Sequence, residues 1–419
     1  MEKIYFCIDM KTFFASVECV ERKLDPFKTN LVVADPSRGK GGICLAVTPH
    51  LKMLGVKNRC RLYEIPNNIN YIIAVPRMKK YIEASADIYE IYLKYFSSSD
   101  IHVYSIDEAF IDVTNYLKLY NKTPIQLAKT VIQDIYDTYG LTATAGIGTN
   151  LYLAKIALDI MSKHSIDNIG YLDEKKYIEE LGNHRPLKDF WQINNGIEKR
   201  LNKMRIFTMN DIANANEKKL FKEFGINARL LIDHSKGIEE CTMKDIKNYK
   251  SKSNSISTSQ ILPKDYNFED AKLVMKEMVE ILTLKLVKNK LKTGTIGLYI
   301  GYSKDVIEAS KATKKLENDT DAFSEIVTNF VFIYDKIASR NTPIRRIGIS
   351  FDKVASSDYM QLNLFEDRIK VEKEEKLENT INILKEKIGK NSILKGINLQ
   401  ENATTISRNK MIGGHNAGE

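Results

Sequence analysis

The 419-residue chain carries 63 Lys and Arg against 54 Asp and Glu, a formal net charge of +9, and 43% of its residues are hydrophobic. That size predicts about two to four domains, and the basic excess favours a polyanionic partner. Five cysteines without paired spacing and six histidines without a zinc pattern argue against a disulfide- or zinc-stapled fold, and no apolar run approaches the roughly 18 residues of a membrane span.

Taken in order, Ile4-Tyr5-Phe6-Cys7-Ile8 is an apolar run ending in Asp9, which predicts a buried strand that delivers a carboxylate. Phe13, Phe14, Val17 and Val20 follow at helical spacing, so a helix starts right after that strand, with free amides suited to an anion. The two adjacent rings read either as core packing or as a wall against a bound sugar. Residues 31–76 read as a small lobe of short strands at 31–34 and 41–47, then a helix with Thr48 as cap, Pro49 at its first position and Lys52 within it. The basic tract Ser37–Gly42 lacks the order of a P-loop, and both a surface hairpin and a nucleic-acid contact remain open for it.

A long helix is predicted over 78–96, and the run 102–113 alternates as strand, two-acid turn and strand. A helix over 124–139, a strand over 141–148 and a helix capped by Asn150, carrying Lys155 and Lys163, complete an α+β domain with its sheet covered on one side. Short helices are predicted at 191–204, 208–213, 217–221 and 227–234, and fifteen basic against nine acidic residues over 182–252 suit a phosphate backbone. A plain helical packing module is the alternative. Residues 239–252 read as a linker.

A second α+β unit follows: strand 255–262, helix 268–289, strand 294–302, edge strand 306–311, helix 324–338 and strand 344–351, the split βαβ order. Sixteen basic against thirteen acidic residues over 253–357 leave any polyanion grip to one face, with Lys252, Ser255, Ser257, Arg345 and Arg346 as candidates. Gln361-Leu362-Asn363-Leu364-Phe365 is a short apolar plug in a polar surround. A charged helix over 368–389 and a loosely held last thirty residues are expected.

The most informative stretch is Ser105-Ile106-Asp107-Glu108. Adjacent acids repel unless a cation is shared, although a solvated turn explains this pair equally well in isolation. Asp9 supplies a third carboxylate, and three carboxylates at strand ends suit a hard cation such as magnesium.

In combination, Asp9-Met10, Phe13-Phe14-Ala15-Ser16-Val17-Glu18, Ser105-Ile106-Asp107-Glu108, Ala145-Gly146-Ile147-Gly148 and Leu153-Ala154-Lys155-Ile156-Ala157 closely resemble the Y family of translesion DNA polymerases over roughly residues 1–357. The resemblance is strongest to the UmuC-like branch of low-GC Gram-positive bacteria and their mobile elements. It implies a multidomain α+β right-hand polymerase: palm 1–18 and 77–175, fingers 19–76, thumb 176–238, linker 239–252, little finger 253–357, then a clamp motif and tail over 358–419.

Carried over by resemblance, Asp9, Asp107 and Glu108 are the catalytic, metal-binding carboxylates, joined by the Met10 carbonyl around two Mg2+ ions. Phe14 corresponds to the steric gate, Phe13 to the floor under the nucleotide, Thr48, Lys52 and Lys163 to triphosphate contacts, and Ser105 and Ile106 to the primer end. Gln361, Leu362, Leu364 and Phe365 are similar to the peptide that docks bacterial polymerases on the sliding clamp (beta subunit). The implied substrates are primed template DNA and deoxynucleoside triphosphates, with a recombinase filament as a further partner. The implied function is error-prone translesion synthesis in DNA damage tolerance, cytoplasmic and nucleoid-associated, with no membrane and no proofreading exonuclease. The chain departs from the pattern at Pro49, where relatives carry an aromatic hydroxyl, and at Lys52, where they carry arginine. Lys163 lies one residue further from Asp159 than in the DinB-like branch, and the glycine-rich hairpin is reduced to Asn194-Asn195-Gly196-Ile197. A catalytically silent DNA-binding or recombinase-regulating protein on this scaffold is the competing reading, and a two-carboxylate nuclease or nucleotide cyclase a third.

Overall fold

The computed structural model describes residues 3–251, 253–303, 307–356 and 368–418. It comprises two compact units: Met1–Lys250 with Asn416–Glu419, and Ser251–His415.

The first unit opens with β1 (Tyr5–Met10), which passes through a left-handed Thr12 (φ 48°) into α1 (Phe13–Glu21). A β-branched residue in that backbone region is strained, and this one sits between the first acid and the paired aromatics. A three-stranded lobe follows, with β2 (Leu31–Val33), β3 (Ala46–Val47), α2 (Pro49–Met53) and β4 (Ile72–Ala74), its strands ordered β3-β2-β4. The strand expected over 41–47 is therefore only two residues long. Sequence reading missed β4, because Ile72 and Ile73 are both exposed and the strand shows no alternation.

Next come α3 (Met78–Tyr95), β5 (Ile101–Val103), β6 (Glu108–Asp112), α4 (Thr114–Leu119), α5 (Pro124–Tyr139), β7 (Ala143–Gly148), α6 (Leu151–Ile156) and β8 (Ile169–Leu172). Their strands join β1 in a five-stranded sheet ordered β5-β6-β1-β7-β8. The expectation of one-sided cover is corrected. Phe6 and Ile8 belong to a core with Tyr81, Ile88, Val131 and Ile135, while Tyr5 and Cys7 pack with Leu151, Ala154 and Leu158 on the opposite face. A run of apolar residues without alternation, as at 5–8, is what burial on both faces requires.

Two glycines of β7 set how close α6 comes. A Cβ added at Gly146 would collide with the backbone of Ala154 and Leu158, and one at Gly148 with the backbone of Leu153 and Ala154. The helix therefore lies directly on the strand, and it continues into a π-helical turn over Ala157–Met161.

Five short helices follow: α7 (Glu174–Leu181), α8 (Asn195–Lys203), α9 (Met209–Ala213), α10 (Glu217–Phe224) and α11 (Asn227–Ser235). They bury Leu201, Ile212, Leu220 and Ile232 in a common core. Trp191, the single tryptophan of the chain, precedes α8 instead of starting it, and its Nε1–H donates to the Tyr104 hydroxyl at 3.2 Å. The expected linker 239–252 is corrected as well, since it holds α12 (Met243–Asn248). Thr242 and Asp245 cap that helix reciprocally, and Met243 is buried beside Tyr5 and Cys7.

The second unit contains β9 (Ile256–Tyr266), α13 (Phe268–Lys288), β10 (Leu291–Tyr302), β11 (Ser310–Thr320), α14 (Phe323–Ile337) and β12 (Ile344–Asp352). The sheet order is β11-β10-β12-β9, with every pair on this path antiparallel. β9 and β10 thus run parallel with β12 between them, and β11 and β12 run parallel with β10 between them: two interlocked split βαβ units. The expected edge strand 306–311 is displaced to Ser310–Thr320, and Val306 lies outside the described residues.

The expectation of a loose C-terminal tail is also corrected. The Glu277 carboxylate, buried in α13, accepts from the Thr404 and Thr405 amides, the Thr404 hydroxyl and the Asn398 side-chain amide at 2.7–3.1 Å. A buried carboxylate is costly unless it is bonded in this way, so these bonds hold the segment against α13.

Candidate active site

In the β1–β6 pair Asp9 stands directly opposite Glu108, and the Met10 amide donates to the Asp107 carbonyl at 3.0 Å. Cross-strand partners have adjoining side chains, so the three acids meet where β1 ends and the turn before β6 closes. That turn is held by the Tyr104 and Ser105 amides, which donate to the Glu108 carbonyl at 2.9 and 3.1 Å. The Ser105 hydroxyl donates to Asp107 Oδ1 at 2.6 Å, and the Cys7 thiol donates to Glu108 Oε1 at 3.0 Å.

Lys155 reaches the same carboxylate from α6. Its Nζ lies 2.8 Å from Glu108 Oε1 and 3.2 Å from Asp159 Oδ2, and Lys163 Nζ lies 3.2 Å from Asp159 Oδ1. Burial, then the charges of Asp107 and Glu108, push the Asp9 carboxyl up to about 7. Burial works against the charge of Lys155, but Cys7, Asp159 and Glu108 outweigh it and raise its pKa. Partial burial and repulsion from Lys163 lower that of Lys52, while Asp9 acts the other way. Lys52 and Lys163 both lie within electrostatic reach of Asp9 at the end of β1.

The donor set fits a divalent cation. Its members are hard carboxylate oxygens, and burial together with the charges of Asp107 and Glu108 disfavours the ionised form of Asp9, a cost that a shared cation relieves. Among the described residues no three His, Cys, Asp or Glu side chains already form a metal cage. Asp107 is turned to Ser105 and Glu108 to Lys155 and Cys7.

The paired aromatics divide their roles. Phe14 stacks on Tyr81 with centroids 4.4 Å apart and planes at 17°. The Tyr81 hydroxyl donates to Glu18 at 2.8 Å, and Arg77 grips the same buried carboxylate with two bonds of 2.9 Å. Burial works to raise the Glu18 pKa, but hydrogen bonds from Arg77, Tyr81 and Arg22 bring it below its usual value. Phe13, expected as a floor for the nucleotide, is instead buried in the sheet core at 2% exposure. Thr48 is a second correction. It is fully buried, its hydroxyl donates to the Thr29 carbonyl at 2.7 Å and accepts from the Leu31 amide, so it presents no free group to a triphosphate.

The sequence of the impB/mucB/samB family matches residues 8–159, and the C-terminal domain of that family matches residues 253–364. The "Putative UV-damage repair protein UvrX" of Bacillus subtilis (strain 168) is 31% identical, covering 99% of this chain and 97% of the relative. The chain belongs to the impB/mucB/samB family. "DNA polymerase IV 2" of the same organism is 29% identical over 99% of each chain. A solved "Y-family DNA polymerase chimera Dbh-Dpo4(243-245)-Dbh" shares the fold with a TM-score of 0.62 at 23% identity, covering 84% of this chain and 99% of the other. The protein is thus a UmuC-like Y-family member and a DNA-directed DNA polymerase, in a family that works on DNA and nucleotides with divalent metal and has no proofreading exonuclease. Among the described residues no helix is long and apolar enough to cross a membrane.

In this Y-family chain the second unit offers a further surface. A trough of about 700 Å³ lies on the open face of its sheet, lined by Ser257, Ser259, Tyr299, Lys311 and Arg346 among others. The Arg346 guanidinium sits 5.3 Å and the Lys311 ammonium 5.6 Å from the Tyr299 ring centroid. Of the predicted contacts, Ser257 and Arg346 share this trough. Ser255 does not line it, and Arg345 occupies the bulge between Ile344 and Arg346, 3.6 Å from Asp265. Lys252 and the peptide Gln361, Leu362, Leu364 and Phe365 lie outside the described residues. Sequence reading missed Lys155 as a partner of Glu108, Tyr81 behind Phe14, and Lys311. The alternation Lys311-Ala312-Thr313 was a signal for the last, whereas nothing local points to the first two.

Proposed function

We propose that this protein performs error-prone translesion synthesis, adding deoxynucleotides to a primer 3′ end by two-metal nucleotidyl transfer. Asp9, Asp107, Glu108 and the Met10 carbonyl would hold two Mg2+ ions. The observation that carries this reading is the cross-strand register of Asp9 and Glu108, with the Asp9 carboxyl pushed up to about 7 by burial and its acidic neighbours. When bound, the ions lower the pKa of the primer hydroxyl and neutralise charge on the departing pyrophosphate.

The chain's own residues do the rest. Ser105 and Ile106 line the approach of the primer end, on the turn that Tyr104 anchors. The Phe14 ring, fixed by its stack on Tyr81, excludes a ribose 2′-hydroxyl. Lys52 and Lys163 hold the triphosphate as point charges. With Pro49 in place of a phenol and lysine in place of arginine, that grip lacks a hydroxyl donor and a bidentate fork. The three-stranded lobe is small and closes loosely over the nascent pair, which suits distorted templates and lowers fidelity on intact ones.

The regions 1–18 with 77–175, 19–76, 176–238 and 253–357 serve as palm, fingers, thumb and little finger. Ser257 and Arg346, with Lys252, Ser255 and Arg345 nearby in sequence, contact the DNA backbone. Gln361, Leu362, Leu364 and Phe365 dock on the sliding clamp, and a recombinase filament is a regulatory partner in the DNA-damage response at the nucleoid. Intact Asp9, Asp107 and Glu108 favour this reading over a silent scaffold.

Primer extension with magnesium, run beside a duplex-binding assay, tests the site. Asp107→Ala and Glu108→Ala are expected to lose extension by about a hundred- to a thousandfold, as removal of a key electrostatic group does, while binding persists. Normal extension by either variant would remove these residues from the mechanism.

A further inference from the structure

We propose that Glu108, Lys155, Asp159 and Lys163 form an ion-pair chain through which a triphosphate bound at Lys163 releases Glu108 to its metal. The proposal rests on the polymerase reading above and extends it to the order in which ligands assemble.

The chain is continuous. Lys155 bridges Glu108 and Asp159 at 2.8 and 3.2 Å, and Asp159 is shared with Lys163 at 3.2 Å. Its two ends differ in accessibility: the Lys155 side chain is 9% exposed, the Lys163 side chain 50%. The fold builds this line from two features. Gly146 and Gly148 let α6 lie against β7, which carries Lys155 to Glu108. The π-helical turn Ala157–Met161 then carries Asp159 between Lys155 and Lys163, four residues from each, and such turns recur at functional sites.

A buried ammonium is costly without a carboxylate partner, so Lys155 keeps at least one of its two. While Lys163 competes for Asp159, the hold of Asp159 on Lys155 is divided, and Lys155 leans on Glu108. Glu108 is then committed to Lys155 and to the Cys7 thiol. A triphosphate that draws off Lys163 leaves Asp159 to Lys155 alone. Glu108 can then turn toward a cation at no cost of a stranded charge. Linkage makes the effect reciprocal, so nucleotide and metal each tighten the other. Lys155 is therefore a positioning residue that stands in for the cation until substrate arrives. Without nucleotide it suppresses idle metal binding.

Electron paramagnetic resonance of Mn2+ with the full-length chain, with and without an exchange-inert Co(III) complex of a deoxynucleoside triphosphate, tests this. In the wild type the nucleotide complex should tighten Mn2+ binding by about fivefold or more, the lower end of ordinary coupling. Asp159→Asn should bind Mn2+ with no such rise, because Lys155 then has Glu108 as its one carboxylate. Lys155→Met should bind Mn2+ tightly from the start and gain nothing from nucleotide. An undiminished rise in Asp159→Asn, or no gain of basal affinity in Lys155→Met, would overturn the proposal. Should Lys155→Met fail to fold, the isosteric Asp159→Asn decides alone, and Lys155→Arg should restore low basal Mn2+ affinity. Primer extension by the wild type separates the two readings. A protein that extends primers but keeps its coupling in Asp159→Asn defeats this chain alone, whereas one that neither extends primers nor binds Mn2+ defeats both.

Discussion

Phe14 is held by a neighbour that is itself held. Its ring stacks on Tyr81, whose hydroxyl is fixed by Glu18, and Glu18 is fixed by Arg77. In the proposed role of Phe14 as a gate the ring would refuse one hydroxyl, so its power would depend on how little the ring can move. Phe14→Ala should admit ribonucleotides, cutting discrimination by at least about a hundredfold, the scale of a lost steric contact in a preorganised site. Tyr81→Leu should give a smaller loss in the same direction. Single-nucleotide incorporation with paired ribo- and deoxynucleotides measures both, and equal discrimination in Phe14→Ala and wild type would reject the gate. At this scale the sequence is most legible where chemistry is concentrated. Adjacent acids after an apolar strand require a cation or solvent, and that narrows the choice. Thr48 shows the opposite case. Its place before Pro49 predicts a cap, but its hydroxyl is taken by Thr29, nineteen residues away, a partner no local pattern announces.

Between elements, the close approach of α6 to β7 is the most restrictive contact. Gly146→Ala places a methyl group into the backbone of Ala154 and Leu158, so about 3 kcal/mol of stability should be lost, the upper range for overpacking. Urea unfolding checks this, and a loss within about 0.5 kcal/mol would show that the helix can retreat. A second element is α15 (Arg368–Ile388), where Glu378 is buried at 5% exposure with an unpartnered Oε2. Burial, then the charge of Glu374, push its carboxyl up to about 7. The folded group thus holds its proton more tightly than the unfolded one. Its stability contribution is full below the usual carboxylate range, declines as the unfolded chain ionises, and is lost once pH passes about 7. The total is on the order of 3 kcal/mol. Glu378→Gln should remove this slope, so that thermal unfolding of the two proteins coincides in acid, diverges as pH rises from the usual carboxylate range to about 7, and differs by a constant amount above that. A constant offset between them at all pH values would assign the effect elsewhere. The missed helix α12 belongs to this scale. Six residues with only Met243 and Ile246 as apolar side chains are too short a run to read as periodic, and both pack against Tyr5 and Cys7 of β1.

At the scale of the molecule, the order of strands and helices in the second unit is legible because each segment is long and bounded by turns. The tail is not, because Glu277 meets its partners 121 to 128 residues further along the chain. The clamp peptide is a prediction of sequence at this scale. Replacing Leu364 and Phe365 by alanine should abolish stimulation by a bacterial sliding clamp and leave distributive synthesis unchanged. Equal stimulation of both proteins in a processivity assay would reject the docking role. Trp191 brings a last consequence. As the chain's single tryptophan, bonded to the Tyr104 that anchors the turn of the proposed active site, it makes the protein self-reporting. Its emission is one undivided signal, free of background indoles, and arises next to the place where a primer would end. Nucleic-acid bases quench indole on contact, so arrival and departure of the primer can be timed by light alone, without a dye.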